Sequence, residues 1–172
     1  GVCDVRPRPG YRAVKRAFDI AFAALLLVAT SPLLLLAAIA VKLGSPGPVF
    51  YRARRAGRDG VPFHMLKFRT MVAGAAEQQA LLESANEASG ALFKIRDDPR
   101  VTRVGRVIRR WSIDELPQLF NVLTGDLSLV GPRPHPLAAV SSRQESFEAI
   151  VEGYASRHKV RPGITGWAQI QG

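Results

Sequence analysis

An apolar run over residues 20–41, with no charged side chain in it, constrains this chain more than any other feature. Its length matches the hydrocarbon core of a bilayer. A soluble helix rarely stays apolar on all sides for so long, and a signal peptide has a shorter apolar region with a clear small-residue cleavage site. Both flanks are basic. Arg6, Arg8, Arg12, Lys15 and Arg16 precede the run, and Lys42, Arg52, Arg54, Arg55 and Arg58 follow it. The positive-inside bias holds both ends on the cytoplasmic side. One straight spanning helix does not satisfy that, whereas a segment that enters and leaves by the same face does. Ser31 and Pro32 supply a break for such a hairpin, because Pro32 has no N–H to offer the carbonyl of Val28. The hydroxyl of Ser31 or Thr30 can donate to a freed carbonyl such as that of Leu27. The alternative is an ordinary kinked spanning helix.

The remaining composition narrows the partners. At 172 residues the chain is long enough to bury one core, and 47% of it is hydrophobic. A formal charge of +10 and a pI near 10.8 point to nucleic acid, anionic lipid or phosphorylated substrates. Cys3 is the one cysteine, which rules out an intramolecular disulfide, a cysteine-rich zinc site and a C-x-x-C redox motif. His64, His135 and His158 have no zinc-binding spacing, and neither a P-loop nor a dinucleotide fingerprint is present. Helix–turn–helix DNA readers lack a segment like 20–41, so nucleic acid is not an expected partner.

The element pattern predicts an α+β fold, mainly helical. Breakers at 44–48 end the apolar element. Strands at 49–51 and 61–68 flank a turn with Gly57 and Gly60, which predicts a small hairpin. Residues 73–88 read as a helix, and Asp98-Pro99 starts a turn. Val104, Val107, Ile108 and Trp111 fall at helical spacing within 101–111. Leu116, Leu119, Phe120 and Leu123 form a second helical stripe, closed by Thr124-Gly125. A short strand at 126–130, a helix at 143–155 and a loop-like tail at 161–167 complete the reading.

The stretch 109–134 carries the candidate chemistry: Asp114 and Glu115 follow Arg109 and Arg110, and Arg133 stands between Pro132 and Pro134. Ser112 and Glu115 match a capping box, with Asp114 at the helix's positive end. The same geometry also suits phosphate, with one carboxylate as nucleophile and the other as an oxygen ligand for Mg²⁺. The two readings are compatible. Lys67 and Arg69 lie at a strand end and point to one face if 61–68 is extended. Arginine's planar fork suits phosphate, and the two prolines fix the direction of Arg133.

Several stretches together carry a resemblance: Lys15-Arg16-Ala17-Phe18-Asp19, Ser31-Pro32, Ser45-Pro46-Gly47-Pro48-Val49-Phe50, KFRTM at 67–71, DPRVTRVGR at 98–106, SIDELPQLFNVLTGDLSLVGPRP at 112–134 and RPGITGWAQ at 161–169. In that order they resemble the bacterial sugar transferases, the monotopic polyprenyl-phosphate phosphoglycosyl transferases. The resemblance implies transfer of a sugar-1-phosphate from a UDP-sugar to polyprenyl (undecaprenyl) phosphate, with release of UMP, through a phospho-sugar enzyme. It implies a place at the cytoplasmic face of the bacterial inner membrane, as the first membrane step of surface polysaccharide synthesis. Asp114 is then the nucleophile, Glu115 with Asp114 holds Mg²⁺, and Lys67, Arg69, Arg109 and Arg133 contact phosphate. Residues 1–14 become a linker, 15–48 a re-entrant membrane hairpin broken at Ser31-Pro32 and 49–172 a cytoplasmic catalytic domain lacking its C-terminal end. The implied architecture packs that hairpin with the small β-hairpin and amphipathic helices around a site at the membrane surface. A homodimer is compatible with it. Ala53 stands where the family commonly has Gln.

Overall fold

The computed structural model describes residues 9–78, 95, 97–136 and 158–170. The apolar run forms the core of one helix, α1 (Pro9–Gly44), and helical backbone continues through Pro32. The expected break is therefore absent as an interruption of helix. The carbonyl of Val28, which Pro32 leaves unpaired, accepts from Ser31 Oγ at 2.8 Å, and Thr30 Oγ1 donates to Leu26 O at 2.7 Å. Back-bonding by these hydroxyls offsets the proline's missing donor. The acceptor of the Ser31 hydroxyl is Val28 rather than the expected Leu27.

One stripe of α1 faces inward along its length. Ala23 and Leu27 pack on Leu119, Val122 and Leu127; Leu34, Ala37, Ala38 and Val41 pack on Phe68, Val104 and Ile108. The opposite face stays apolar and exposed, including Leu25, Val28, Leu35, Leu36, Ile39 and Leu43. Polar contacts fasten both ends. Arg16 donates to the carbonyls of Val122 and Leu123, and Arg69 gathers the carbonyls of Ser45 and Pro46 just past Gly44.

β1 (Phe50–Ala56) and β2 (Pro62–Phe68) form the predicted antiparallel hairpin, with Tyr51 opposite Lys67 and Ala53 opposite Met65. α2 (Arg103–Arg110) starts at Thr102, whose Oγ1 accepts from Gly105 N at 2.8 Å. Gly105 is required there: a Cβ would lie 2.1 Å from Thr70 O. α3 (Gln118–Thr124) ends on Gly125 at φ 95°, the left-handed closure the sequence predicted. Its buried face is Gln118, Leu119, Asn121 and Val122, with Phe120 outside, because Asn121 rather than an apolar residue docks the helix. Asn121 bonds Leu66 N and His64 O on β2, and Asp126 on the following loop.

β3 (Ser128–Val130) pairs in parallel with β4 (Gly163–Thr165). The tail expected as loop is thus part strand, followed by a helical turn at Trp167–Ile170. Residues 73–78 are turns rather than regular α-helix. The rest of the helix expected at 73–88, the whole of the helix at 143–155 and most of the linker at 1–14 lie outside the described residues.

Candidate active site

The link between α2 and α3 places the carboxylate pair. Ser112 adopts a left-handed backbone (φ 54°, ψ 20°), and Ile113–Glu115 form one 3₁₀ turn. Glu115 N donates to Ser112 O at 3.1 Å, and the Ser112 side chain caps nothing. The capping-box expectation is therefore corrected. Pro117 opens α3 instead, with its missing N–H at a position that needs none. The carboxylates are free of capping duty, held by a turn that places Ser112, a non-glycine residue, at positive φ.

Asp114 is 9% exposed and lies in a cavity of about 870 Å³ that also meets Glu115, Lys67, Arg69, Thr70, Arg109 and Arg55. Lys67 Nζ donates to Glu115 Oε1 at 2.6 Å. Arg109 Nε donates to Thr70 Oγ1 at 2.8 Å, one helical turn beyond the Gly105 contact with the same residue. Burial pushes the Asp114 carboxyl above the ordinary carboxylate range; Lys67 and Arg109 pull it down and Glu115 pushes it up, and burial prevails.

The cavity wall over residues 70–76 hangs on the Asp98–Arg100 pair. Asp98 accepts from Arg100 Nε at 2.9 Å and Nη2 at 2.7 Å, which holds its carboxyl below the usual range. Arg100 Nη1 reaches Ala75 O, and the Arg100 carbonyl accepts from Val72 N.

The structure thus gathers Asp114, Glu115, Lys67, Arg69 and Arg109 around one cavity. Arg69 differs from its expected part: Nη1 and Nη2 go to backbone carbonyls at the end of α1, so it ties α1 to the cavity wall. Arg133 is not among the lining residues but stands near Arg55, which is. Ser31 and Pro32 are exposed in the middle of α1.

The sequence reading assigned no site role to Arg55, Tyr51 or Asn121. Tyr51 and Arg55 alternate with Arg52 and Arg54 along β1, and the strand's period of two, once paired with Lys67, would have found them. Arg55 Nε is buried with no hydrogen-bond partner among the described residues, and burial lowers the affinity of this guanidinium for its proton. Nothing in the local sequence singles out Asn121.

Comparisons with known proteins give the chain's family. The bacterial sugar transferase family matches residues 10–172. The chain is 50% identical over 161 residues to the UDP-glucose:undecaprenyl-phosphate glucose-1-phosphate transferase of Escherichia coli K12, covering 94% of this chain and 32% of that protein. It is 52% identical over 158 residues to the undecaprenyl-phosphate glucose phosphotransferase of Komagataeibacter xylinus, covering 92% and 28%. It is 44% identical over 164 residues to the UDP-N-acetylgalactosamine-undecaprenyl-phosphate N-acetylgalactosaminephosphotransferase of Aeromonas hydrophila, covering 95% and 35%. The chain therefore spans about a third of the length of these relatives, and over that span it belongs to the bacterial sugar transferase family.

Proposed function

We propose that this chain is the catalytic part of an enzyme that moves a sugar-1-phosphate from a UDP-sugar to a polyprenyl phosphate, undecaprenyl phosphate in the bacterial setting. The observation that carries the proposal is a buried carboxylate, Asp114, in a large cavity lined by cations. Desolvation keeps this carboxylate more basic than an ordinary one, which favours nucleophilic attack. An Asp114 oxygen attacks the β-phosphorus, the bond from that phosphorus to the bridging oxygen breaks, and UMP leaves with the electron pair. An oxygen of the lipid phosphate then attacks the same phosphorus, and the Asp114–phosphorus bond breaks to return the carboxylate. Lys67, Arg109 and Arg55 supply positive charge along the cavity for the diphosphate. Arg133, beside Arg55, extends that charge.

Two carboxylates on one turn fit Mg²⁺, which is commonly held by one or two carboxylates with substrate phosphates and water. The fit does not need a larger protein cage, and no group of three or more His, Cys, Asp or Glu gathers among the described residues. Glu115, with Asp114, would hold the ion, which when bound neutralises phosphate charge. Lys67 already occupies one side of Glu115, so it shares that carboxylate with any ion there.

Membrane placement follows from α1 in the same proposal. Its inward stripe stays on one body from Asp19 to Val41 while the opposite face is apolar and exposed. Only 17% of its most apolar window is buried. With both ends fastened to the same polar body, both belong on one side of the membrane, the cytoplasmic face of the bacterial inner membrane by its basic flanks. The experiment is UMP release by the full-length protein from a panel of UDP-sugars, with undecaprenyl phosphate and Mg²⁺. Sugar-dependent UMP release supports the reading, and wild-type turnover by folded Asp114→Asn overturns the nucleophile.

A further inference from the structure

A second cavity, of about 460 Å³, lies at the amino-terminal end of α1 and shares no lining residue with the first. Three stretches that the proposed chemistry does not use converge on it: residues 15–19, 128–131 and 159–161. Among its described lining residues six are cations and one, Asp19, is an acid. Asp19 is 2% exposed and already engaged: it accepts from Lys15 Nζ at 2.7 Å, Ser128 Oγ at 2.8 Å and Leu129 N at 3.3 Å. Its charge serves to lock α1 onto β3. Arg16 is committed to the carbonyls that end α3, and Arg58 pairs with Asp59 at 3.2 Å. Arg161 is partly buried and meets Arg16, Arg58 and Arg12 as like charges, against Asp19 alone as an opposite one. Its backbone is fixed by the parallel pairing of β3 with β4, where Ser128 N donates to Pro162 O and Gly163 N to Pro132 O, each at 2.9 Å. Crowding cations around a partly desolvated guanidinium is unfavourable unless an anion joins them.

We propose that this cavity is a second phosphate site, taking either the phosphate group of a lipid or a free phosphate, with Arg161 and Arg12 as its principal donors. Fork-shaped donors match phosphate oxygens. The rim favours the lipid source, because the exposed Tyr11, Val14 and Phe18 begin the outward apolar face of α1 beside it. A head group there sits at interface depth with its chains along α1. The lipid source rests on the membrane placement proposed above, and the phosphate chemistry does not.

The test is titration of the full-length protein in neutral detergent with inorganic phosphate and with short-chain phosphatidylglycerol, read by melting temperature and by calorimetry. The melting temperature rises with ligand because binding to the folded state stabilises it, and the titration heat saturates as the site fills. Arg12→Gln/Arg161→Gln is expected to weaken binding at least tenfold. Arg103→Gln/Arg106→Gln, which removes the same charge from the exposed side of α2, is expected to change it less than twofold. Tighter binding of phosphatidylglycerol identifies a lipid head-group site, and equal affinity identifies a site for phosphate itself. If the double variant does not fold, exposed Arg12→Gln alone carries the comparison, with a smaller loss expected. The proposal is overturned if neither ligand binds wild type, or if the α2 control loses as much as the site variant. Flotation with neutral phosphatidylcholine vesicles tests the membrane placement separately: no flotation with intact phosphate binding removes the lipid source and leaves the phosphate site.

Discussion

Asp98 and Asp114 both stand in turns beside arginines, and the structure sends them opposite ways. Asp98 is gripped by the Arg100 guanidinium through Nε and Nη2 and also accepts from Arg100 N at 3.0 Å. That hydrogen bonding is the largest influence on it and lowers its proton affinity. Asp114 has cations nearby too, but Lys67 donates to Glu115 and Arg109 to Thr70. Burial is then the largest influence, and its proton affinity rises. What separates the two acids is where the neighbouring cation's hydrogen bonds go. Both outcomes are needed, since the Asp98–Arg100 pair shapes the wall of the cavity in which Asp114 lies.

Removing each carboxylate in turn is the strongest way to break that comparison. Asp114→Asn is expected to lower kcat by at least about 10³-fold, on the scale of losing a nucleophile. Its folded-state carboxyl is raised above the unfolded value, so the ionised form costs stability at pH above both values. Asparagine carries no such charge, and the melting temperature at neutral pH should rise. Asp98→Asn should do the reverse. It leaves the Arg100 guanidinium buried without its carboxylate, a loss of about 3 kcal/mol in chemical denaturation. Because the Asp98 carboxyl is depressed, its contribution is present above the ordinary carboxylate range and disappears as pH falls through the folded value. The variant should lack that acid-dependent component, with folded-state kcat changed far less than by Asp114→Asn.

How much of this was legible in the chain depends on the range of the forces involved. The long helix, the hairpin, α2 and the Gly125 closure follow from local period and turn chemistry, and the sequence predicts them. β4 was not legible, because three residues of strand acquire their pairing only through β3, more than thirty residues away. The local rule for proline predicts a break at Pro32, yet helical backbone runs through it, with Ser31 and Thr30 donating to carbonyls of the preceding turn. At the candidate site the residue types were legible through resemblance, but their commitments were not. Arg69 turns to the carbonyls of α1, Lys67 to Glu115, and Arg55 enters the cavity through strand register.

Changing the charges around Asp114 sharpens the comparison with a smaller effect. If Asp114 is the nucleophile, the acid limb of kcat/KM reports its ionisation in the free enzyme. The limb should therefore lie above the ordinary carboxylate range. Lys67 favours the ionised form, so Lys67→Met should move the limb to still higher pH. Glu115 disfavours it, so Glu115→Gln should move the limb to lower pH. Both variants also lose rate, but opposite displacements of the limb are a signature that lost positioning alone does not produce. A limb that stays fixed in both would assign it to another group.

The smallest effect concerns the turn that presents the pair. Thr102 caps α2 through Gly105 N, and Thr102→Ala should cost about 1 kcal/mol in chemical denaturation. Ser112 occupies the matching position in the sequence pattern S-x-x-E, but its hydroxyl caps nothing and its backbone is left-handed. Ser112→Ala should therefore cost less than about 0.5 kcal/mol, as at a site without a cap. Alanine keeps a Cβ at the same positive φ, so the backbone cost is nearly equal in the two proteins. Equal losses for Thr102→Ala and Ser112→Ala would restore the capping box, return Glu115 to helix-end duty and weaken the case that this turn exists to hold two carboxylates in a cavity.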